Sequence, residues 1–279
     1  RHRFFICLGQ AYWLTGDEKY VKGFLRLIND WMSRVPLDET TQGGPWRMLE
    51  TGLRGETWTK AIRYFRGSEL ITEDFLDRFA ACLRAHAERL VVQGGDARLQ
   101  SNWCVVENSG LLEIALALPQ NEQTEEWIRI ALDRLERSSR VQVYADGSQW
   151  EQSPMYHNEV YHCLCCCVYL ARINGIPLPE GMEERVHRMA RADMIWRKPD
   201  MHQFTQGDSD DTDLGDVLSM GAYLFGDPEL KYAGFDRLDF EDAWDFGMTA
   251  VKDYEKLAAK EPDFTSAALA DSGNFYLRS

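Results

Sequence analysis

The rhythm of the apolar residues limits what this chain can fold into more than any other feature. They recur every three or four positions, in stretches parted by short polar or glycine-bearing connections. Phe4, Phe5, Leu8, Ala11 and Tyr12 keep that spacing until Thr15-Gly16-Asp17 supplies a stop and a new N-cap. Val21, Phe24, Leu25, Ile28, Trp31 and Met32 then share a face that ends before Pro36, so the two stretches form a helical hairpin. Thr72 caps a helix whose expected stripe is Leu76, Phe79, Ala80, Leu83, Ala87 and Leu90, and Trp127, Ile128, Ala131, Leu132 and Leu135 mark another. Further helices are read over 160–170, 182–195, 217–225 and 243–259. Strand signals are nearly absent until DSGNFYLRS, where Phe275 and Leu277 alternate with Tyr276 and Arg278. No strict repeat is present, so an irregular toroid of hairpins is expected over a solenoid of equal units. The fold class expected is all-α, an incomplete (α/α) toroid over residues 1–265, with 266–279 starting a truncated β-sandwich domain.

Charge narrows the partners. The 279 residues carry 31 basic and 45 acidic side chains, a net charge of −14, which speaks against nucleic acid or an anionic membrane as the main partner. It leaves an anionic small substrate open, because a cleft can be locally basic. No apolar run reaches the length of a membrane span and no leader is visible. The chain opens at Arg1 without an initiator Met, so it reads as part of something longer and its location is left open between secreted, periplasmic and cytoplasmic. Four of seven cysteines fall between Cys163 and Cys167. His162, Cys163 and Cys166 imitate a metal site, but no second ligand pair stands at a matching spacing, so free buried thiols are expected and no metal or cofactor is assigned.

Chemistry concentrates in DGSQWEQSPMYHNEVYH, from Asp146 to His162, where acid, amide, hydroxyl, phenol and imidazole crowd onto a helix start. Two readings stand: a capped buried helix with Trp150, Met155 and Tyr156 in the core, or a site. SNWCVVEN follows the same design, a polar loop delivered onto a helix, with Asn102 either an N-cap or a functional amide. Together they suit removal of a proton α to a carboxylate and loss of the β-oxygen. An amide such as Asn102 bonds the carboxylate as charge moves onto it. A phenol such as Tyr156 serves as base once a cation lowers its pKa from about 10, with Arg54, Arg140 or a protonated His157 as candidates. In WRMLETGLRGETW, Trp46, Arg47, Glu50, Arg54 and Trp58 suit sugar recognition, with a salt-bridged amphipathic helix as the plain alternative. GDSDDTD, with Asp208 and Asp210, reads as solvated loop, metal site or substrate contact. It lacks the calcium-loop spacing, and Leu214 stands where a DDxxD motif needs its third Asp.

These motifs, in this order and with DSGNFYLRS after them, resemble the heparinase II/III-like polysaccharide lyases, which include heparan sulfate and alginate lyases. The resemblance implies an (α/α) toroid followed by a β-sandwich, with the cleft between them. The Tyr of the family's S-P-x-Y-H segment falls on Tyr156, the expected base and acid, and the carboxylate-neutralising Asn on Asn102. Trp103 replaces the family's usual His there, which bears on subsite and substrate. A further His and, in some members, a structural zinc belong to the sandwich and so lie outside this chain. The expectation is a β-eliminating lyase of a uronic-acid polysaccharide, heparan sulfate-like or alginate-like, with His157 tuning or positioning Tyr156. Trp46, Arg47, Glu50, Arg54, Trp58, Trp103, Gln152, Asp208 and Asp210 are expected to hold the sugar. The expected partners are that acidic glycan and the C-terminal β-sandwich of the same protein, without which activity should be weak, and neither nucleic acid nor membrane. Two competitors are a toroidal glycoside hydrolase pairing Asp146 or Glu151 with Asp208 or Asp210, and a non-catalytic acidic-glycan-binding domain.

Overall fold

The computed structural model describes residues 1–93 and 98–278. The chain divides into two compact units, Arg1–Leu135 and Glu136–Ser279. Part of the loop expected before Asn102, residues 94–97, lies outside the described residues.

The first unit is built from α1 (Phe4–Thr15), α2 (Glu18–Arg34), α3 (Met48–Tyr64), α4 (Glu73–Gln93), α5 (Asn102–Ala117) and most of α6 (Glu122–Gln142). Helix α1 ends where Gly16 turns left-handed at φ 67°, and Asp17 caps α2 by accepting from the Lys19 amide. Thr72 accepts from Phe75 N at 3.2 Å, the cap expected for α4. In α4 it is Phe75, and not Leu76, that faces inward with Phe79, Leu83, Ala87 and Leu90, while Leu76 is exposed. Two of the last four carbonyls of α4 are satisfied by Arg134 of α6, which donates to Leu90 O at 3.1 Å and Val91 O at 2.7 Å.

Helix α3 packs against α1, α4 and α5 and so has no solvent face for most of its length. Its closest approach is to α5, where Gly52 and Gly55 lie on Gly110. A Cβ on Gly110 would stand 2.2 Å from Gly52 O.

In the second unit α7 (Pro154–Ile173) packs on α8 (Met182–Trp196) and α9 (Gly215–Phe225), and α9 on α10 (Pro228–Ala233) and α11 (Phe240–Lys256). Helix α11 breaks at Gly247, φ 81°. All seven cysteines are free: Cys104, Cys163, Cys165, Cys166 and Cys167 are buried, Cys82 is half-buried and Cys7 is exposed. The chain ends in a hairpin, β1 (Ala267–Leu269) antiparallel to β2 (Asn274–Tyr276), with Ala267 opposite Tyr276 and Leu269 opposite Asn274. The alternation in DSGNFYLRS is thus the second strand of a pair. Arg278 anchors the hairpin to the end of α8, donating to Ile195 O and to Arg197 O. No described helix is long and apolar enough to cross a membrane.

Candidate active site

The Asp146–Ser153 segment is a tight turn fastened from three directions. Val143 pairs with Gln149 across it, and Gly147, at φ 95°, lies against Arg188 O, where a Cβ would come within 2.1 Å. Burial works against ionising Asp146, yet its carboxyl sits below the usual range because the Ser148 hydroxyl and amide and the Ser272 amide all donate to it. Both Asp146 oxygens are therefore engaged in holding the turn and the hairpin, which removes one of the acids a hydrolase would use. Gln152 adopts a left-handed φ of 59°, a conformation a non-glycine residue keeps only under constraint. The constraint is the hairpin: Asn274 Nδ2 donates to Gln152 Oε1 at 2.6 Å. Gln152, expected to bind substrate, has its amide in that clamp instead.

Helix α7 begins at Pro154, a fit first-turn residue since it has no N–H to satisfy. Its neighbour Ser153 makes no cap bond of its own. The cap comes from the acidic loop: Ser209 Oγ accepts from Met155 N at 3.0 Å and bonds Ser153 Oγ at 2.8 Å. Asp208 and Asp210 flank that serine and are exposed, and the loop is further held by Gln203, which donates to Asp210 O and accepts from Asn158. The acids of GDSDDTD thus border the first turn of α7. Asp211 pairs with Lys198, and Asp213 caps the start of α9 through Gly215 N.

Tyr156 stands in this first turn, half-buried, and its hydroxyl has no hydrogen-bond partner among the described residues. Trp150 and Met155 are exposed, so the reading of this stretch as core packing does not hold. His157, the next residue, points inward and is buried. Its Nδ1 accepts from Gln149 N at 3.2 Å, which puts the ring proton on Nε2, 3.2 Å from Met189 O. A ring accepting an N–H is not an imidazolium, so the expectation of a protonated His157 lowering the phenol's pKa is corrected: His157 ties the turn to α7. Arg140, the other cation expected to act here, is bonded to Glu136.

Beside this lies a shallow cleft of about 370 Å³ lined by Phe204, Thr205, Gln206, Asn274, Phe275 and Tyr276. Phe204 and Tyr276 stack at 5.8 Å.

In the first unit Asn102 is the opening residue of α5. Ser101, and not Asn102, is its N-cap, accepting from Trp103 N, so the amide is not accounted for as a cap. Trp103 is exposed, with the Arg47 guanidinium 5.0 Å and that of Arg98 5.9 Å from its ring. Glu50 accepts from Arg1 at 2.9 Å and Arg47 at 2.6 Å, which draws its pKa down to about 2. Arg47, Glu50, Asn102 and Trp103 therefore belong to one polar, cation-rich edge. Beneath it Glu107 is buried, and its pKa is pushed up to about 7 by burial against the pull of Arg98, whose nitrogen lies 2.9 Å away.

The other three residues expected to grip sugar are packing. Trp46, Arg54 and Trp58 are 3%, 2% and 0% exposed. The Arg54 guanidinium lies over Trp31, Trp46 and Trp58 at 4.6, 5.4 and 5.9 Å and donates to His86 Nε2 at 3.0 Å and Pro45 O. His86 in turn gives its Nδ1 proton to Cys82 O at 2.8 Å, and burial followed by the Arg54 charge lowers its pKa to about 3. Burial brings Arg54 itself down to about 10. Only the rim of Trp46 reaches an opening, a groove of about 1150 Å³ that it lines with Trp31, Met32 and Cys82.

Ser209, Asn274 and Ser272 were not singled out from the sequence. The serine of GDSDDTD was overshadowed by its acids, and the other two act through contacts more than 100 residues distant.

With this geometry in hand, known proteins can be set beside the chain. The family described as Heparinase II/III N-terminus matches residues 1–232. A heparin-sulfate lyase of Bacteroides stercoris is 28% identical over 209 residues, 68% of this chain and 31% of that protein. One of Pedobacter heparinus is 24% identical across 100% of this chain and 40% of its own length. Among solved structures, heparan sulfate lyase HepC from Pedobacter heparinus, as a mutant, superposes with a TM-score of 0.75 at 25% identity, covering 98% of this chain and 41% of that one. A heparinase III at 22% identity shares the fold with a TM-score of 0.73 over 95% of this chain and 40% of its own. The chain thus spans less than half the length of these relatives. The matched residues include α5, which opens with Asn102, and α7, which carries Tyr156, and the chain belongs to the heparinase II/III family through its N-terminal domain.

Proposed function

We propose that the protein is a polysaccharide lyase that cleaves a uronic-acid polymer of the heparan sulfate type by β-elimination. Tyr156 takes the proton α to the uronate carboxylate, and Asn102 donates to the carboxylate as its oxygens gain negative charge. The bond to the 4-oxygen then breaks, Tyr156 returns its proton to that oxygen, and a double bond remains in the new non-reducing sugar. The observation that carries this reading is the Tyr156 hydroxyl. It is partly open and without a hydrogen-bond partner among the described residues, on a first turn fastened by Ser209, Gln149 and the hairpin. The relatives named heparin-sulfate lyase support the substrate class. Arg47 and Trp103 supply the cation and ring that an acidic sugar needs.

The rest of the longer protein, a C-terminal β-sandwich in this reading, completes the cleft. The test is Tyr156→Phe in the full-length protein, assayed by absorbance of the unsaturated product on heparan sulfate, with alginate, hyaluronan and chondroitin alongside. Loss of an acid–base group predicts a fall of about 10²–10⁴-fold in kcat. Unsaturated product formed at the wild-type rate removes the assignment.

A further inference from the structure

One buried carboxylate in the second unit has no part in the chemistry above. Asp193, on α8, is 0% exposed, and neither oxygen makes a well-formed hydrogen bond among the described residues, although His157, Trp196 and Asn158 all lie close enough to favour its charged form. The neutral His157 ring approaches it, with Nε2 3.6 Å from Oδ2. Trp196 packs edge-on against the His157 ring at 4.6 Å, and its buried indole N–H lies near the same carboxylate without a well-formed hydrogen bond to any described residue. Asn158, next on α7, also borders the carboxylate. A buried carboxylate with no well-formed hydrogen bond is rare and calls for an explanation.

The explanation is directional. His157 accepts the Gln149 N–H through Nδ1, so it must carry its proton on Nε2, and that proton points between Met189 O and Asp193. An acceptor on the Nε2 side selects this tautomer, and the tautomer makes the Gln149 bond possible. That bond closes the turn leading into the first turn of α7, where Tyr156 sits. We propose that Asp193 is a positioning residue of the lyase site, acting through His157 on the placement of Tyr156. This rests on Tyr156 being the base.

The experiment uses the full-length protein and compares Asp193→Ala, Asp193→Asn and Tyr156→Phe on heparan sulfate, with a thermal melt of each. Asp193→Ala is expected to lower kcat between about 10- and 100-fold through misplacement of the phenol, with KM within about twofold. Asp193→Asn keeps an oxygen facing Nε2 and is expected to restore kcat to within about threefold of wild type. Wild-type kcat in Asp193→Ala means that Met189 O suffices and overturns the inference. So does an Asn variant as slow as the Ala variant with an unchanged melt. If Asp193→Ala does not fold, nitrogen NMR of His157 in the wild-type protein decides: a proton on Nε2 is expected, and a proton on Nδ1 overturns the inference. Should Tyr156→Phe retain full activity, the base assignment fails and this inference falls with it. A dead Tyr156→Phe beside a fully active Asp193→Ala refutes Asp193 alone.

Discussion

Gly110→Ala tests the contact on which the placement of Asn102 depends. The added Cβ would lie 2.2 Å from Gly52 O and 2.7 Å from Gly52 C and Cα, all backbone atoms that cannot rotate away. Restoring an ordinary contact of 3.4 Å means parting α3 and α5 by about 1.2 Å. A gap of that size forfeits roughly half of the dispersion energy along the seam, and overpacking of this kind costs about 1–3 kcal/mol or more. Alanine's better helix propensity returns at most about 1 kcal/mol. With backbone atoms that cannot yield, the cost falls at the upper end, and the net expectation is a loss of about 1–2 kcal/mol and a fall in Tm of roughly 2–8 °C. Gly23→Ala is the matched control, because Gly23 lies within α2 and its Cβ would meet nothing within 4 Å. There the same change should stabilise by up to about 1 kcal/mol. Calorimetry or urea unfolding of both variants reads the difference. If Gly110→Ala proves as stable as Gly23→Ala, the helices are not in backbone contact and the reasoning is wrong.

Ser209→Ala removes the acceptor for Met155 N and should cost about 1 kcal/mol in urea unfolding, whereas Asp208→Asn and Asp210→Asn should each stay within about 0.5 kcal/mol. Equal costs for all three would mean that the loop holds α7 through charge and not through the hydroxyl. Glu107→Gln should change the pH dependence of stability. The folded pKa of Glu107 is raised from 4.5 to about 7, so its contribution is fully present below pH 4.5 and is lost as pH rises through 7. The variant should therefore gain on wild type across that window, by at most about 3 kcal/mol, in urea unfolding at stepped pH. A constant difference from pH 4 to 8 refutes it.

Much of the fold was legible because most helices bury one face and expose the other. Asp17 and Thr72 cap where the sequence places them, and Trp127, Ile128, Ala131, Leu132 and Leu135 are all buried. Helix α3 misled for the opposite reason. Enclosed by α1, α4 and α5, it has no apolar stripe, and its tryptophans and Arg54 mimic an exposed binding face. A cation resting on three indole rings and a neutral imidazole leaves no local pattern that separates it from a sugar-gripping one. Strand β1, in SAALA, has no β-branched residue and no alternation, so only its pairing with β2 reveals it. In the candidate site, Tyr156 and Asn102 are proposed from local design and resemblance. Ser209 and Asp193 are not, because their partners lie 54 and 36 positions away in the chain.

The free thiols turn the protein into its own reporter of opening. Cys7 is accessible in the native state and supplies an internal reference for any alkylating reagent. Cys104 reacts only once α5 has come away from its neighbours in the first unit, while Cys163, Cys165, Cys166 and Cys167 all lie on α7 and answer for the second. Mass-resolved labelling in rising denaturant would then show, without any introduced probe, whether the amide's helix and the phenol's helix let go together or one after the other.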